Sequence, residues 1–359
     1  MNIVRPLSSP SELDLFCNFE DAIYRTRAVR WPAFKVFSLS LLNGESAFLR
    51  GREIQAFGAF RNGEMLARAA AITDPNYVLY WGDPIGHIAM FEALPGSADE
   101  SKELLNLACR WLRERGALSA RSGFSHFEMP FTIGDDGSLP PIAMRQNPDF
   151  YHSLFQTAGF SVERRWVGYR IAVDDFVVKQ ITDWKNRIQA AGCSVVSLRD
   201  LMFPKCLGEF ARVLNATFNQ HWGRTPLSED EVLERMTIFE SFGALEASAI
   251  AFLNDKPVGI TFSVRECTKL AVAQSRPIRE DERLNLGGET GVLQEARSIG
   301  VGRALVAHAY QDFIDHGAKY LYYGPVLDDN WQSRRIGENL GGRLTGTYLV
   351  YRRELFDAS

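Results

Sequence analysis

"ARSIGVGRALV", Ala296 to Val306, sets two glycines, Gly300 and Gly302, between an arginine and an apolar run. Upstream, "TGVLQEA" (Thr290–Ala296) reads as a central strand. Downstream, "GRALVAHAYQDFIDHG" (Gly302–Gly317) reads as a helix whose apolar stripe includes Ala304, Leu305, Ala307 and Phe313. A strand expected to end near Glu295 therefore passes through a glycine turn into a helix starting near Gly302. The first N–H groups of a helix are unpaired and lie at the positive end of its dipole, so such a turn is an anion site. Residues without a Cβ let a phosphate come close to the backbone, and Arg297 adds a positive charge at the mouth. A nucleotide-triphosphate loop is excluded, because Arg303 and Ala304 follow Gly302 in place of Lys and Ser or Thr. A dinucleotide turn needs a third small residue where Leu305 stands. The phosphate-bearing arm of coenzyme A is the remaining ligand class.

The chain repeats itself around this turn. "AFRNGEMLA" (Ala59–Ala67) resembles "AFLNDKPVG" (Ala251–Gly259), each a strand, an Asn-centred hairpin and a strand. "LRERGALSARSG" (Leu112–Gly123) resembles "FIDHGAKYLYYG" (Phe313–Gly324), each a helix end closed by a glycine, then a strand. "GFSVERRWVGYRI" (Gly159–Ile171) resembles "GGRLTGTYLVYRR" (Gly341–Arg353). Three matches in the same order imply two similar domains, 1–175 and 176–359. Each half is expected to run from a helical start through a hairpin, a longer strand, a helix, a strand, a helix and a last strand. In the second half, "VVSLRD" (Val195–Asp200) opens as a strand, and Ser228 with Glu231 has the spacing of a helix capping box. "SHFEMPFTIGDDGSLPPIAMRQ" (Ser125–Gln146) occurs only in the first half and reads as a long functional loop.

The 359 residues are 46% hydrophobic and 23% charged, an ordinary globular balance, and the formal net charge is -4. That charge gives no global basic field for nucleic acid. The five cysteines, Cys17, Cys109, Cys193, Cys206 and Cys267, form no CxxC pair and read as reduced thiols, with no metal site implied. Acidic residues at 12, 14, 20 and 21 do not read as a secretion signal, and no apolar run is long enough for a membrane span. A cytoplasmic protein with no membrane partner is expected.

"RSIGVG" (Arg297–Gly302) resembles the Arg/Gln-x-x-Gly-x-Gly/Ala signature of the Gcn5-related N-acetyltransferases (GNAT). The likeness continues through "YLYYGPVL" into "DDNWQSRRIGENLGG" (Asp328–Gly342), where Asn330, Ser333, Leu340 and Gly341 follow the family's pattern. It covers nearly all of residues 190–355. The first half is similar to the family through "NPDFYHSLFQTAGF" (Asn147–Phe160), but "PGSADES" (Pro95–Ser101) stands where its glycine turn should be. Asp99 and Glu100 there would repel phosphate. The resemblance implies an α/β protein of two tandem GNAT-like domains, each a mixed, mostly antiparallel sheet flanked by helices, with a degenerate first copy. It implies acetyl-CoA or another acyl-CoA as co-substrate. The implied contacts are Leu293, Gln294, Arg297, Ser298, Ile299, Gly300, Val301, Gly302, Arg303 and Ala304, with Asn330 and Ser333 beyond.

An acyl-CoA-dependent N-acyltransferase acting on a small-molecule amine or amino acid derivative is the function this implies. A tRNA-dependent aminoacyl transferase of the Fem-like kind and a non-catalytic acyl-CoA-binding module are the alternatives, and a homodimer is compatible with all three. In the family a backbone N–H of the splayed central strand polarises the thioester, which here points to Leu293 and its neighbours. The family's general-acid tyrosine is replaced by Gly337. Either another group protonates the thiolate, or water does, or the reaction is not ordinary acetylation; of Tyr322 and Tyr323 only one can face the cleft, and Tyr323 is the preferred donor. Glu289, Glu295 and His221 are the candidate bases. Asn215, Trp222 and Arg224 cluster around His221 as substrate-binding residues, while Tyr151 and His152 read as surface residues.

Overall fold

The computed structural model describes residues 2–356, and of Leu270 only the backbone. The first half runs β1 (Asn2–Leu7), α1 (Pro10–Tyr24), β2 (Val29–Arg30), α2 (Lys35–Leu42), β3 (Ile54–Arg61), β4 (Glu64–Thr73), α3 (Pro75–Trp81) and β5 (Ile85–Ala93). It continues with α4 (Ala98–Arg113), β6 (Ser119–Ser122), β7 (Phe131–Ile133), α5 (Tyr151–Thr157) and β8 (Ser161–Ala172). The second half runs α6 (Asp175–Ala190), β9 (Cys193–Ser197), α7 (Leu207–Thr217), α8 (Glu229–Phe239), α9 (Ala244–Ala247), β10 (Ala249–Leu253) and β11 (Lys256–Val264). Then come α10 (Thr268–Ala271), β12 (Ala273–Gln274), β13 (Leu286–Val292), α11 (Val301–Asp315), β14 (Tyr320–Leu327), α12 (Trp331–Asn339) and β15 (Arg343–Glu354).

Local chemistry accounts for many of the boundaries. Ser9 and Glu12 form a reciprocal capping box around Pro10 at the start of α1, and Ser228 and Glu231 form another at α8. The β3–β4 and β10–β11 hairpins turn through Asn62–Gly63 and Asn254–Asp255, all four at positive φ, as a two-residue hairpin turn requires. The first half departs from the expected helical start: it opens with β1, which pairs antiparallel with β3. The expected central strand is also displaced. It begins at Leu286 and ends at Val292, and Gln294–Ile299 form a 3-10 turn. The Leu293 N–H bonds Val258 O at 2.8 Å, and the Ala296 N–H bonds Leu293 O at 3.0 Å, which folds the chain out of the ladder. Glu295 is thereby exposed on the turn.

The principal sheet crosses the whole molecule in the order β1-β3-β4-β5-β6-β15-β8-β14-β13-β11-β10-β9, with β7 also on β15. β5–β6 and β13–β14 are parallel and the other pairs antiparallel. The last strand of each half is exchanged. β8 pairs with β14 of the second half, and β15 pairs with β6 and β7 of the first. The exchanged strands carry core with them. Val167, Tyr169 and Ile171 of β8 pack with Val306, Tyr310 and Leu321. Leu349 and Tyr351 of β15 pack with Phe131 and Phe155. On the opposite face one core is common to both halves, joining Phe16, Phe48 and Leu139 to Leu214, Met236 and Phe262.

Burying a large apolar side chain contributes about 1.5–3 kcal/mol. Three such residues from one strand approach the ~5–15 kcal/mol net stability of a whole domain. Residues 176–359 expressed alone lack β8 and leave β15 without β6. The expected product is aggregated or partly folded, as read by size-exclusion chromatography and thermal unfolding. A soluble monomer with one cooperative transition would show that the exchange is dispensable.

Candidate functional site

β13 and β14 form a fork. They are in register only at Gly287 opposite Tyr323, and beyond that point they diverge. β14 also breaks its register with β8 between Tyr323 and Val326, where Gly324 and Pro325 intervene. On its other edge β13 stays paired with β11, Val292 opposite Gly259 and Thr290 opposite Thr261. Because Leu293 N–H is bonded to Val258 O, the alternation of an antiparallel ladder turns the N–H groups of Val292 and Thr290 toward the fork. The backbone donors at the fork are therefore these two; the donor expected of Leu293 is already spent.

A cavity of about 430 Å³ opens at the fork. Tyr323, Asn330 and Ser333 border it from β14 and α12, and Glu289 and Thr290 from β13. His221 and Arg224 join from the loop after α7, and Arg235 from α8. The first half contributes Phe34 and Phe37 near α2, Phe124, and Ser125 to Met129 from the long insertion. Phenylalanine is the commonest residue on the wall.

Tyr323 is 9% exposed and its hydroxyl lies 2.8 Å from Ser333 Oγ. Burial pushes its pKa up to about 12, against the opposing pull of the Ser333 hydrogen bond. Tyr322 faces the other way, its hydroxyl 3.0 Å from that of Tyr348, so only Tyr323 reaches the cavity. Gly337 has a local explanation. A Cβ there would sit 2.9 Å from the Tyr323 ring and 3.2 Å from that of Tyr169, so two rings occupy the space a side chain would need. Asn330 caps α12 by accepting from Ser333 N–H at 3.2 Å.

Glu289 is not placed to be a base. Its Oε1 accepts from Arg235 Nη1 at 2.9 Å and from Arg224 Nη2. Burial would raise its pKa, but the two guanidinium charges outweigh burial and hold it at about 2. His221 is the better acceptor. Burial, with the Arg224 charge adding to it, lowers its pKa to about 4, so the ring is neutral at physiological pH. Nδ1 lies 3.1 Å from Trp222 O, which makes Nδ1 the protonated nitrogen and leaves the Nε2 lone pair free. Asn215 turns out to be structural: it bonds both the N–H and the C=O of Leu227. Trp222 faces the first half, stacked on Phe124 with centroids 5.6 Å apart.

The His221 loop is held from the first half. Tyr80 Oη donates to Asn219 O at 2.5 Å and Trp81 Nε1 to Arg224 O at 2.6 Å. His126 Nε2 lies 2.8 Å from Thr225 Oγ1. These partners lie on the α3 turn and on the insertion, where no sequence motif marked them.

The glycine turn borders a separate hollow. Gln294 to Ile299 form the 3-10 turn, Gly300 follows at φ 100°, and α11 begins at Val301. A Cβ at Gly300 would meet nothing within 4 Å, so the space before the helix is open. Ser298, Ile299, Gly300 and Arg303 border a hollow of about 120 Å³ with Trp184 and Arg187. Arg297 Nε donates to Val292 O at 3.1 Å, tying the turn to the fork, while Val301 and Ala304 are buried in the packed face of α11.

The equivalent fork in the first half is filled. β5 and β6 separate after Ile88 opposite Ser122. Met90 N–H then donates to Glu128 Oε2 at 2.8 Å, and Phe91 O accepts from Arg145 Nη2 at 2.6 Å. Arg145 also pairs with Glu128 and Glu92. Tyr151, fully buried and not on the surface as expected, receives the Ala93 N–H at 2.7 Å, and His152 bonds Tyr351 and Thr132. At the start of α4, buried Glu100 is clamped by Arg61 at 2.9 and 2.7 Å, which places an internal carboxylate where an anion would bind.

Glu289→Gln removes the charge that two mostly buried arginines share. A buried pair broken on one side costs about 3–5 kcal/mol. The folded pKa lies below that of the unfolded chain, so this contribution is complete above about pH 4.5. It falls away as the pH drops toward 2. Urea unfolding of both proteins should give a constant difference from pH 8 to pH 5 and a shrinking one below; equal stability at pH 7 would refute the pairing.

No family model matches the sequence, and no curated protein matches it. Solved structures do. A tandem GNAT protein from the clavulanic acid biosynthesis pathway is similar over 100% of both chains, with a TM-score of 0.58 and 13% identity. A Gcn5-related N-acetyltransferase from Sphaerobacter thermophilus covers 99% of this chain and 96% of its own, at 0.57 and 12%. The Gcn5-related glucosamine N-acetyltransferase region of a fungal multi-domain GH3 β-N-acetylglucosaminidase gives 0.62 and 17%, over 98% of this chain and 38% of that one. At these identities the likeness is one of fold. With one open fork, one filled fork and full-length correspondence to a paired structure, this chain has the tandem GNAT fold.

Proposed function

We propose that the protein is an acyl-CoA-dependent N-acyltransferase whose one working site is the fork of the second half. The contrast between the two forks carries this reading: one opens on a cavity, the other is filled by Arg145, Glu128 and Tyr151. The residues present fit an acyl-CoA. The open space at Gly300, the unpaired N–H groups opening α11, and Arg187, Arg297 and Arg303 around the turn suit its phosphates. Asn330 and Ser333 border the cavity at the fork. When bound, acyl-CoA supplies an activated thioester carbonyl and a thiol leaving group.

The chain's own groups divide the remaining work. Val292 and Thr290 N–H groups donate to negative charge developing on an oxygen at the fork. His221 Nε2 takes a proton from an amine, and its neutrality above about pH 4 keeps it available. Tyr323 keeps its proton throughout the neutral range and can release it to a departing thiolate, with Ser333 fixing its direction. Glu289, ionised at all ordinary pH values and paired with Arg224 and Arg235, takes no part in proton transfer.

Calorimetric titration with acetyl-CoA should give one site per chain; two sites would sink the assignment of the first half. Gly300→Asp, which adds a carboxylate before α11 and strains a backbone at φ 100°, should abolish binding, while Gly300→Asn, with the same strain and no charge, should retain more of it at a similar unfolding temperature. Binding without turnover of any amine would select the non-catalytic acyl-CoA-binding module. Tyr323→Phe should lower turnover by about 10²–10⁴-fold at unchanged acetyl-CoA affinity. A fall in affinity alone would make Tyr323 a packing residue.

A further inference from the structure

Among the described residues, two carboxylates border the cavity at the fork, Glu289 and Glu128, and both are engaged. Glu289 Oε1 accepts from Arg224 and Arg235, and Oε2 is shut off from solvent. Glu128 Oε1 accepts the Met129 N–H at 3.0 Å, while Oε2 takes the Met90 N–H and Arg145. The hydroxyls and the side-chain amide are spent in the same way. Ser125 Oγ accepts the Phe127 N–H at 3.0 Å, and Thr290 Oγ1 lies 3.0 Å from Thr261 Oγ1. Ser333 is taken by Tyr323, and Asn330 by the start of α12. His221 Nε2 remains, and it is a neutral acceptor.

The aromatic faces are no more hospitable to a cation. Arg52 lies over Phe127 at 5.5 Å, Arg224 over Phe218 at 5.4 Å and Arg235 over Phe262 at 4.6 Å. A guanidinium thus already holds one face of three rings of the wall. An alkylammonium brings a full charge and three donors. Here it would find no counter-ion, and a charge buried unpaired is costly. Nor is the wall built for an anion, since Arg224 Nε, Arg235 Nε and Arg235 Nη2 are shut away from the cavity. What does face the space is apolar. Phe34 is 37% exposed, and Phe37, Ile238 and Phe239 are half-buried.

We infer that the acceptor is an arylamine, a neutral amino group borne directly on an aromatic ring. Conjugation of the nitrogen lone pair with the ring keeps such an amine uncharged at neutral pH. An alkylamine, with a pKa of about 10, is uncharged in only about one molecule in 10³. The ring lies against Phe34, Phe37, Ile238 and Phe239, and the amino group donates to His221 Nε2 beside the fork. A cavity of about 430 Å³ suits a ring with further apolar substituents. This rests on the acyl-transfer reading for the fate of the amine, though not for its binding. In the transfer the nitrogen bonds the acyl carbon as the carbon–sulfur bond breaks. The nitrogen loses one proton to His221, the sulfur gains one from Tyr323, and the His221 proton returns through water to Tyr323.

The test is calorimetric titration of the protein, without acetyl-CoA, with 4-butylaniline and with 4-butylbenzylamine at pH 6 and pH 8. His126, His221, Glu289 and Tyr323 keep their charge between those values, so any change reports the ligand. The Kd of the aniline should stay constant. That of the benzylamine should fall by about 10²-fold as its uncharged fraction grows. A benzylamine that binds as tightly at pH 6 as at pH 8, or more tightly than the aniline at pH 6, would overturn the inference. Absence of aniline binding would overturn it too. Ile238→Glu puts a free carboxylate on the wall and should strengthen benzylamine binding at pH 8 by about tenfold while weakening that of the aniline. Phe34→Glu serves the same purpose if that variant does not fold, and no gain in a folded variant would overturn the placement. With acetyl-CoA present, an aniline that binds but forms no amide would reject acyl transfer and leave the ligand class standing.

Discussion

The seam between β8 and β15, where Tyr348 lies opposite Trp166 and Leu344 opposite Tyr169, carries the rest of the architecture. Either side of it lies a strand that belongs by sequence to the other half. The core around α11 is completed by Val167, Tyr169 and Ile171, and the core around α4 by Leu349 and Tyr351. The relative placement of the halves is therefore set by a hydrogen-bonded ladder together with the core they share on the opposite face. That rigidity has a use at the fork. Trp166, on exchanged β8, sits 5.7 Å from the His221 ring, and Trp81 and Tyr80 hold the backbone of the same loop.

The first half forms part of the wall of the cavity at the second half's fork. Its own fork is filled by Glu128 and Arg145, both from the long insertion. The same insertion sends Phe127 and Met129 into the working cavity. One segment thus does two jobs: it satisfies backbone groups at the first fork, and it narrows the cavity at the second. The filled fork is held by charge-assisted hydrogen bonds among groups shut from water, where such bonds are strongest.

Much of this was legible in the sequence, for reasons that are local. The Gly300 turn needs positive φ and an open approach, and the hairpins at Asn62 and Asn254 need residues that tolerate left-handed backbone. Such demands leave marks at fixed spacing. The strand exchange left none, because β8 and β15 carry the same pattern whichever neighbour they join. β1 is short and pairs with β3 far along the chain, so the turn at Ser8-Ser9-Pro10 that ends it marks only the start of α1. Glu289 looked like a base because the arginines that disable it are 65 and 54 residues away in the chain. Leu293 is one residue out of phase for the fork, an offset set by its bond to Val258, which periodicity alone does not fix. The plug in the first fork depends on Arg145 meeting Glu92 and Glu128 across three segments, which only the folded chain reveals.

The exchange of the last strands also bears on how the protein is made. Synthesis runs from the N-terminus, so β6 emerges early, with β5 on one side and a bare edge on the other. Its partner, β15, leaves the ribosome only after residue 354 has been added. For most of translation the first half is an open sheet, and β8 waits likewise for β14. Bare edges of this kind pair readily with other chains. The nascent chain therefore exposes unpaired strand edges for longer than two domains that each closed on their own would.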